Sequence, residues 1–290
     1  MGLLKDARAR IAFAMAFFGT VGLFVRKISL SSGEVALYRA VLAVLLLSGY
    51  FLLTGQRIDL ASIRRELPLL LISGVAMGIN WILLFEAYRY TTVSVATMSY
   101  YFAPVIVTLA CPILFHEKMG TKRWICFGMS TLGIVLLTGV GDLSAGSDHL
   151  KGILFGLGAA VFYASVVLLN KFITGVAGVQ RTFLQFLGAI LVLAPYVALT
   201  SGITIGGLDG VGWLCLLVVG LVHTGVNYCL YFSVLKDVPG QELAILSYMD
   251  PLVAVLVSVF LLGERMTLVQ LLGGLLILGF TLWNELGQET

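Results

Sequence analysis

Charge is scarce in this chain. Only 11% of its 290 residues are Asp, Glu, Lys or Arg, while 59% are hydrophobic, and the mean hydropathy is +1.02. That balance excludes an ordinary soluble domain, in which about a quarter of the residues are charged. The net charge of +3 carries no nucleic-acid signal, because most of the cations report membrane topology. Histidine is as sparse: His116, His149 and His223 fall on separate segments, with no HExxH run and no clustered aspartates. A convergent set of nucleophile, base or metal ligands is therefore lacking, no metal or cofactor is implied, and an intramembrane enzyme is the weaker alternative. No GxxxxGK[ST] run exists to cradle a nucleotide phosphate, and the loops leave no room for an ATP-hydrolysing module. Cys111, Cys126, Cys215 and Cys229 lie inside apolar runs without CxxC spacing. They read as small buried residues, not as disulfides or metal ligands.

What the chain has is long apolar runs. A helix needs about 20 mostly apolar residues to cross the hydrocarbon core. Ten runs meet that need, at approximately 11–28, 34–53, 67–88, 93–115, 123–140, 151–171, 180–200, 210–233, 242–262 and 267–284. They are continuous, whereas β-barrel strands would alternate apolar and polar residues. The fold class expected is all-α integral membrane, with a lipid bilayer as its solvent. Lys5, Arg8 and Arg10 before the first run could open a signal peptide. However, Phe18 to Lys27 has a counterpart in Phe162 to Lys171, which argues for a retained structural helix. Arg26 and Lys27 are expected to snorkel to the interface at the end of this short first span.

With ten helices both termini share one side, and twelve of the eighteen Lys and Arg residues fall there. The other side holds Arg26, Lys27, Arg39, Arg89, Lys151 and Arg265. The positive-inside rule then places both termini in the cytoplasm.

A motif is written twice. Gly78-Ile79-Asn80-Trp81, Pro104 and Glu117-Lys118-Met119 recur as Gly225-Val226-Asn227-Tyr228, Pro251 and Glu264-Arg265-Met266, each pair 147 residues apart. This divides the chain into a first five-helix repeat (1–140), a Gly/Ser-rich linker (141–150) and a second five-helix repeat (151–290). An odd number of helices per repeat inserts the second copy upside down, the architecture that underlies alternating access.

These features carry a resemblance. The stretches FEAYRYTTVSVATMSYYFAPV and ELAILSYMDPLVAVLVSVFLLGERMTLVQLLGGLLILG, with the paired EKM and ERM turns, resemble EamA-type members of the drug/metabolite transporter superfamily. The likeness spans nearly the whole chain and is strongest over 74–137 and 220–283. It implies a cytoplasmic-membrane exporter or exchanger of small organic metabolites, and its motifs report fold far better than cargo.

The polar residues inside the spans give the candidate site. A proline in a helix frees the carbonyl four residues earlier, so Pro104 and Pro251 free Tyr100 and Ser247. In lipid such a carbonyl must face protein or a wet cavity, which predicts kinks beside a central cavity. Asp250 precedes Pro251, and a carboxylate in mid-membrane costs at least about 2.5–3.5 kcal/mol, so a substrate or proton-coupling role is expected. Its counterpart in the first repeat is Ala103. Glu86 is a weaker coupling candidate, since Arg89 one turn on offers a local ion pair. Glu34 and Glu242 begin helices, and Glu117 and Glu264 sit in the repeated turns; all four read as structural. His223, Asn227 and Tyr231 share one helical face, and Thr97, Tyr101, Pro104 and Thr108 another, either as cavity lining or as glue between helices. Together with Asn80, the rings of Trp81, Tyr100, Tyr101, Tyr163, Tyr228 and Tyr248 would wall a cavity for an amphipathic guest, an amino acid or an organic cation. Gly152 and Gly156 form GxxxG, suited to packing within the bundle or to a homodimer.

Overall fold

The computed structural model describes residues 7–56, 63–115, 120–138, 148–176, 178–234, 238 and 246–286. Among them are ten membrane-length or near membrane-length helices and no strand. They are α1 (Ala7–Val25), α2 (Ser32–Thr54), α3 (Leu67–Tyr90), α4 (Val93–Tyr100 continuing as Ala103–Phe115) and α5 (Thr121–Thr138). The second set is α6 (Asp148–Lys171), α7 (Gly178–Leu199), α8 (Gly210–Tyr231), α9 (Met249–Leu261) and α10 (Leu268–Glu285). Seven are long and apolar enough to span a membrane by length and composition alone. The chain is a multi-pass membrane protein, and its ten helices coincide with the ten apolar runs. Residues 141–147 of the linker and the residues Glu117 and Glu242 lie outside the described residues, while 148–150 form the first residues of α6.

Local chemistry sets the helix ends. At α2, Ser31 Oγ accepts the Glu34 N–H at 3.2 Å while Glu34 Oε2 accepts the Ser31 N–H at 3.3 Å, a reciprocal capping box. The Glu34 carboxylate also takes the N–H of Thr204 at 2.6 Å, so it ties the start of α2 to the loop after α7. Thr267 and Gln270 repeat the capping box at α10. Between α9 and α10 the chain turns at Gly263, whose φ of 66° is the left-handed region that glycine enters without steric cost.

The helices around Pro104 and Pro251 break at the same repeat position. α4 is interrupted at Tyr101–Phe102 and the helix preceding α9 at Tyr248, in each case three residues before the proline. A second irregularity falls, among the described residues, in the second half alone: Val218–Val226 of α8 and Val257–Leu261 of α9 are wound as π-helix. Wider winding rotates side chains off the 3.6-residue face and favours functional surroundings.

The two halves interlock. α3 packs on α6 and α7, while α8 packs on α1 and α2. The cross-half seams rely on missing side chains. A Cβ on Gly133 of α5 would stand 2.6 Å from the Gly273 carbonyl of α10, and the reverse distance is also 2.6 Å. Gly152 and Gly156 of α6 face Thr91 and Ser99, so this GxxxG is used inside the bundle. The buried core runs through Leu47, Phe85, Phe186, Leu193 and Leu216. Large apolar side chains such as Leu53, Leu199 and Phe260 stand exposed on the outside, as lipid contact requires.

Candidate functional site

A cavity of about 680 Å³ lies between the halves, lined by α1 to α4 and α6 to α8, with Arg123 of α5 and the stretch from Ser247 to Asp250 at the start of α9. The helix breaks explain why it is there. Pro251 cannot donate to the Ser247 carbonyl, and the Tyr101 hydroxyl reaches that oxygen at 3.3 Å from the opposite half. The same hydroxyl sits 2.9 Å from Asp250 Oδ2 and donates chiefly to this carboxylate. The break in one repeat thus supplies the partner for the break in the other.

The structure brings most of the sequence candidates together. Asn80, Trp81, Tyr100, Tyr101, Pro104, Tyr163, Tyr228, Tyr248 and Asp250 all line the cavity. The aromatic rings contact one another in a chain: Tyr100 with Tyr163 at 5.2 Å, Tyr100 with Tyr101 at 5.9 Å, and Tyr101 with Tyr248 at 6.2 Å. Phe186 stands between Trp81 and Tyr228, 5.4 Å from each. Such rings give apolar walls with hydrogen-bonding tips.

Other candidates are placed elsewhere. His223 is fully buried against α1, its ring 4.1 Å from Phe17 and its Nε2 2.8 Å from Thr20 Oγ1. Asn227 donates to the Ala14 carbonyl of α1 at 2.9 Å. The stripe of His223, Asn227 and Tyr231 therefore faces α1, and Tyr231 alone of the three also reaches the cavity. Glu86 accepts from Ser32 Oγ and lies 3.8 Å from Arg89 Nη1, fastening the end of α3 to the start of α2 outside the cavity. Pro251 is buried and does not line it.

Two cations depart from the sequence reading. Arg26 does not simply snorkel: its Nη2 makes a 2.8 Å ion pair with Glu264 Oε1 and donates to the Thr91 carbonyl. Glu264 Oε2 in turn accepts the Val93 N–H at 2.8 Å and the Ser258 hydroxyl. This cluster joins the ends of α1, α3, α4 and α9 and closes the bundle on that face. Arg39 is not a surface cation at all. Seven residues inside α2, it is 5% exposed, its guanidinium lies 4.4 Å from the Trp81 ring centroid and 5.5 Å from that of Phe85, and it lines the cavity. Its Nε donates to Thr224 Oγ1 at 2.7 Å, while that hydroxyl donates to the Val219 carbonyl, the five-residue reach of the π-wound segment. An arginine at this depth costs at least about 2.5–3.5 kcal/mol on insertion scales. Stacking on the rings returns about 0.5–2 kcal/mol and leaves the charge in place. The signal that could have found it was its distance from either end of an apolar run.

The lining runs toward the face where the chain begins. It reaches the exposed Lys171 at the end of α6 and Arg123 at the start of α5, and includes no member of the Arg26–Glu264 cluster. Among the described residues no group of His, Cys, Asp and Glu could hold a metal ion.

Two inverted five-helix units enclosing a polar, aromatic cavity at their interface define the class of membrane transporters built from internal repeats. The profile of the EamA-like transporter family matches the chain twice, over residues 10–139 and 150–284, and the protein belongs to this family. It is 30% identical over 278 residues to an uncharacterized transporter, YxxF, of Bacillus subtilis (strain 168), covering 94% of this chain and 87% of that one. An uncharacterized transporter of Archaeoglobus fulgidus is 28% identical over 285 residues, covering 97% and 98% of the two chains. A solved crystal structure superposes with a TM-score of 0.65 at 16% identity over 95% of both chains, a likeness of fold.

Proposed function

We propose that the protein is a secondary transporter that exports or exchanges small organic metabolites such as amino acids by alternating access. The observation that carries this reading is the polar, aromatic cavity at the repeat interface, whose described lining runs to Lys171 and Arg123 and does not include the Arg26–Glu264 cluster. A cavity at the interface of two inverted repeats is what an alternating-access cycle requires, since the repeats can exchange conformations and turn the site from one face to the other. With Arg39 inside the bundle, the cations divide twelve against five between the two faces. This favours cytoplasmic termini and a cavity that faces the cytoplasm. Asp250 is the coupling residue in this reading: a carboxylate hydrogen-bonded to Tyr101 in a wet cavity can exchange a proton or meet a cationic group of the cargo.

The test is efflux from proteoliposomes loaded with amino acids, amines and organic cations, with and without a proton gradient. Selective loss of one class relative to protein-free vesicles supports transport and names the cargo. Folded protein that releases nothing selectively removes the reading for that panel. An uncoupled facilitator would show the selectivity without the gradient dependence.

A further inference from the structure

We infer that Arg39 is the specificity-determining residue of the cavity and that it selects cargo bearing a carboxylate. The inference rests on the transporter reading and deepens it, because the aromatic walls and Asp250 alone would suit an organic cation equally well.

Three observations support it. First, the guanidinium is incompletely used. Thr224 takes Nε, the rings of Trp81 and Phe85 lie 4.4 and 5.5 Å from the guanidinium, and among the described residues Nη1 and Nη2 have no hydrogen-bond acceptor and no carboxylate partner. The end-on pair of N–H groups that matches a planar carboxylate bidentately is left for the cavity. Second, the residue is held, not merely present. Two rings and a hydroxyl fix the guanidinium plane, and Thr224 is oriented for acceptance by donating its own proton to Val219. A preorganised fork loses little freedom when it binds. Third, the charge balance disfavours a cation. Apart from Arg123 and Lys171 at the helix ends, the charged groups among the described lining residues are Arg39 and the carboxylate Asp250. A cation without a carboxylate would meet the like charge of Arg39, which is only 5% exposed. Phosphate esters would also bind a guanidinium, but they bring a second negative charge into a cavity that contains Asp250. A carboxylate, alone or in a zwitterion, fits both charges.

The test uses the full chain in proteoliposomes and probes that differ at one group: phenylalanine, N-acetylphenylalanine, phenylalaninamide and phenethylamine. Wild-type protein should move the carboxylate-bearing members and leave the amide and the amine behind. Arg39→Gln should reduce carboxylate transport by about tenfold or more, the worth of a charge-assisted hydrogen-bond pair, and Arg39→Lys should restore part of it. Size-exclusion elution and thermal unfolding establish that each variant is folded. Should Arg39→Gln not fold, thermal stabilisation of the wild type by phenylalanine but not by phenylalaninamide serves as the readout. Wild-type transport of amide or amine as fast as acid overturns the inference and leaves transport standing. So does a folded Arg39→Gln variant that moves the acid at the wild-type rate, or equal stabilisation by acid and amide. Wild type that moves no probe, and no amine or organic cation either, overturns the transport reading and this inference with it.

Discussion

The two halves of the molecule agree in their scaffold and disagree in their charges. Asn80 of α3 donates to the Ala159 carbonyl of α6 at 2.7 Å, and 147 residues later Asn227 of α8 donates to the Ala14 carbonyl of α1 at 2.9 Å. Each asparagine clips its half to the first helix of the other. The breaks at Tyr101 and Tyr248 and the prolines 104 and 251 recur as faithfully. Yet Asp250 answers to Ala103, and Arg39, 147 residues before Phe186, answers to an aromatic ring. Duplication supplies the frame that can change conformation symmetrically; the cargo chemistry stands at the positions where symmetry has been lost.

Removing the unpaired carboxylate is the strongest way to test that division. Asp250→Asn should bring gradient-driven accumulation down by about tenfold or more, to the level set by exchange alone, while counterflow of labelled cargo in the absence of a gradient persists. Full concentrative transport by the variant would strip Asp250 of its coupling role. The double variant Ala103→Asp, Asp250→Asn sharpens the comparison. If placing the carboxylate in the other half restores accumulation, the asymmetry is incidental; the geometry predicts that it does not, because the carboxylate would no longer be offered to the Tyr101 hydroxyl.

The repeated clips should behave alike. Asn80→Ala and Asn227→Ala each delete one buried interhelical hydrogen bond to a backbone carbonyl, worth about 0.6–1.7 kcal/mol in membrane proteins. The two losses of stability, measured by denaturant unfolding in detergent, should agree within about 0.5 kcal/mol. A markedly larger loss at one site would show that the halves share a motif without sharing its work.

A smaller effect is expected at the closed face. Glu264→Gln weakens the ion pair with Arg26 and the hold on the Val93 N–H. Hydrogen–deuterium exchange around Val93 should accelerate several-fold while the Asn80 and Asn227 seams keep their protection. Unchanged exchange at Val93 would mean that the face is closed by packing alone.

Much of this was legible in the residues. Ten apolar runs and a motif repeated at one spacing specify helices, their number and their inversion, because lipid leaves the backbone few alternatives. The proline pair and the tyrosines around it pointed to the cavity through the freed carbonyls, and Pro104 and those tyrosines line it while Pro251 is buried beside it. Direction was harder to read. The His223 stripe carries no mark of which neighbour it meets, and the π-winding of Val218–Val226 has no simple sequence signature. Arg39 was hidden by its type: a cation after an apolar start reads as topology until its stacking on Trp81 and Phe85 is seen. Asp250 had been weighed by its depth in the membrane, and the same test applied to Arg39 would have singled it out.

The last contrast concerns two carboxylates beside corresponding helices, Glu66 before α3 and Asp209 before α8. Asp209 turns inward on its own helix, accepting the Gly212 N–H at 2.7 Å. Glu66 reaches across to the other half, where its oxygens take the Gly175 N–H at 2.9 and 3.0 Å and the Thr174 N–H at 3.1 Å. These backbone donors, first Gly175 and then Thr174, lower the Glu66 pKa from its ordinary value, with Arg181 adding a smaller pull. A depressed carboxylate pKa contributes stability that is present above the unfolded value of about 4.3 and is lost as pH falls through the folded one. Thermal unfolding of the wild type should therefore weaken on acidification below about pH 4.3 more than that of Glu66→Gln, which has no charge there to lose. The difference should be slight, since the group is exposed to solvent. Asp209→Asn should leave the link between the halves untouched, because its bond lies within one helix. If both variants flatten the acid limb equally, the bridge from Glu66 to residues 174 and 175 does no more for the assembly than a local cap.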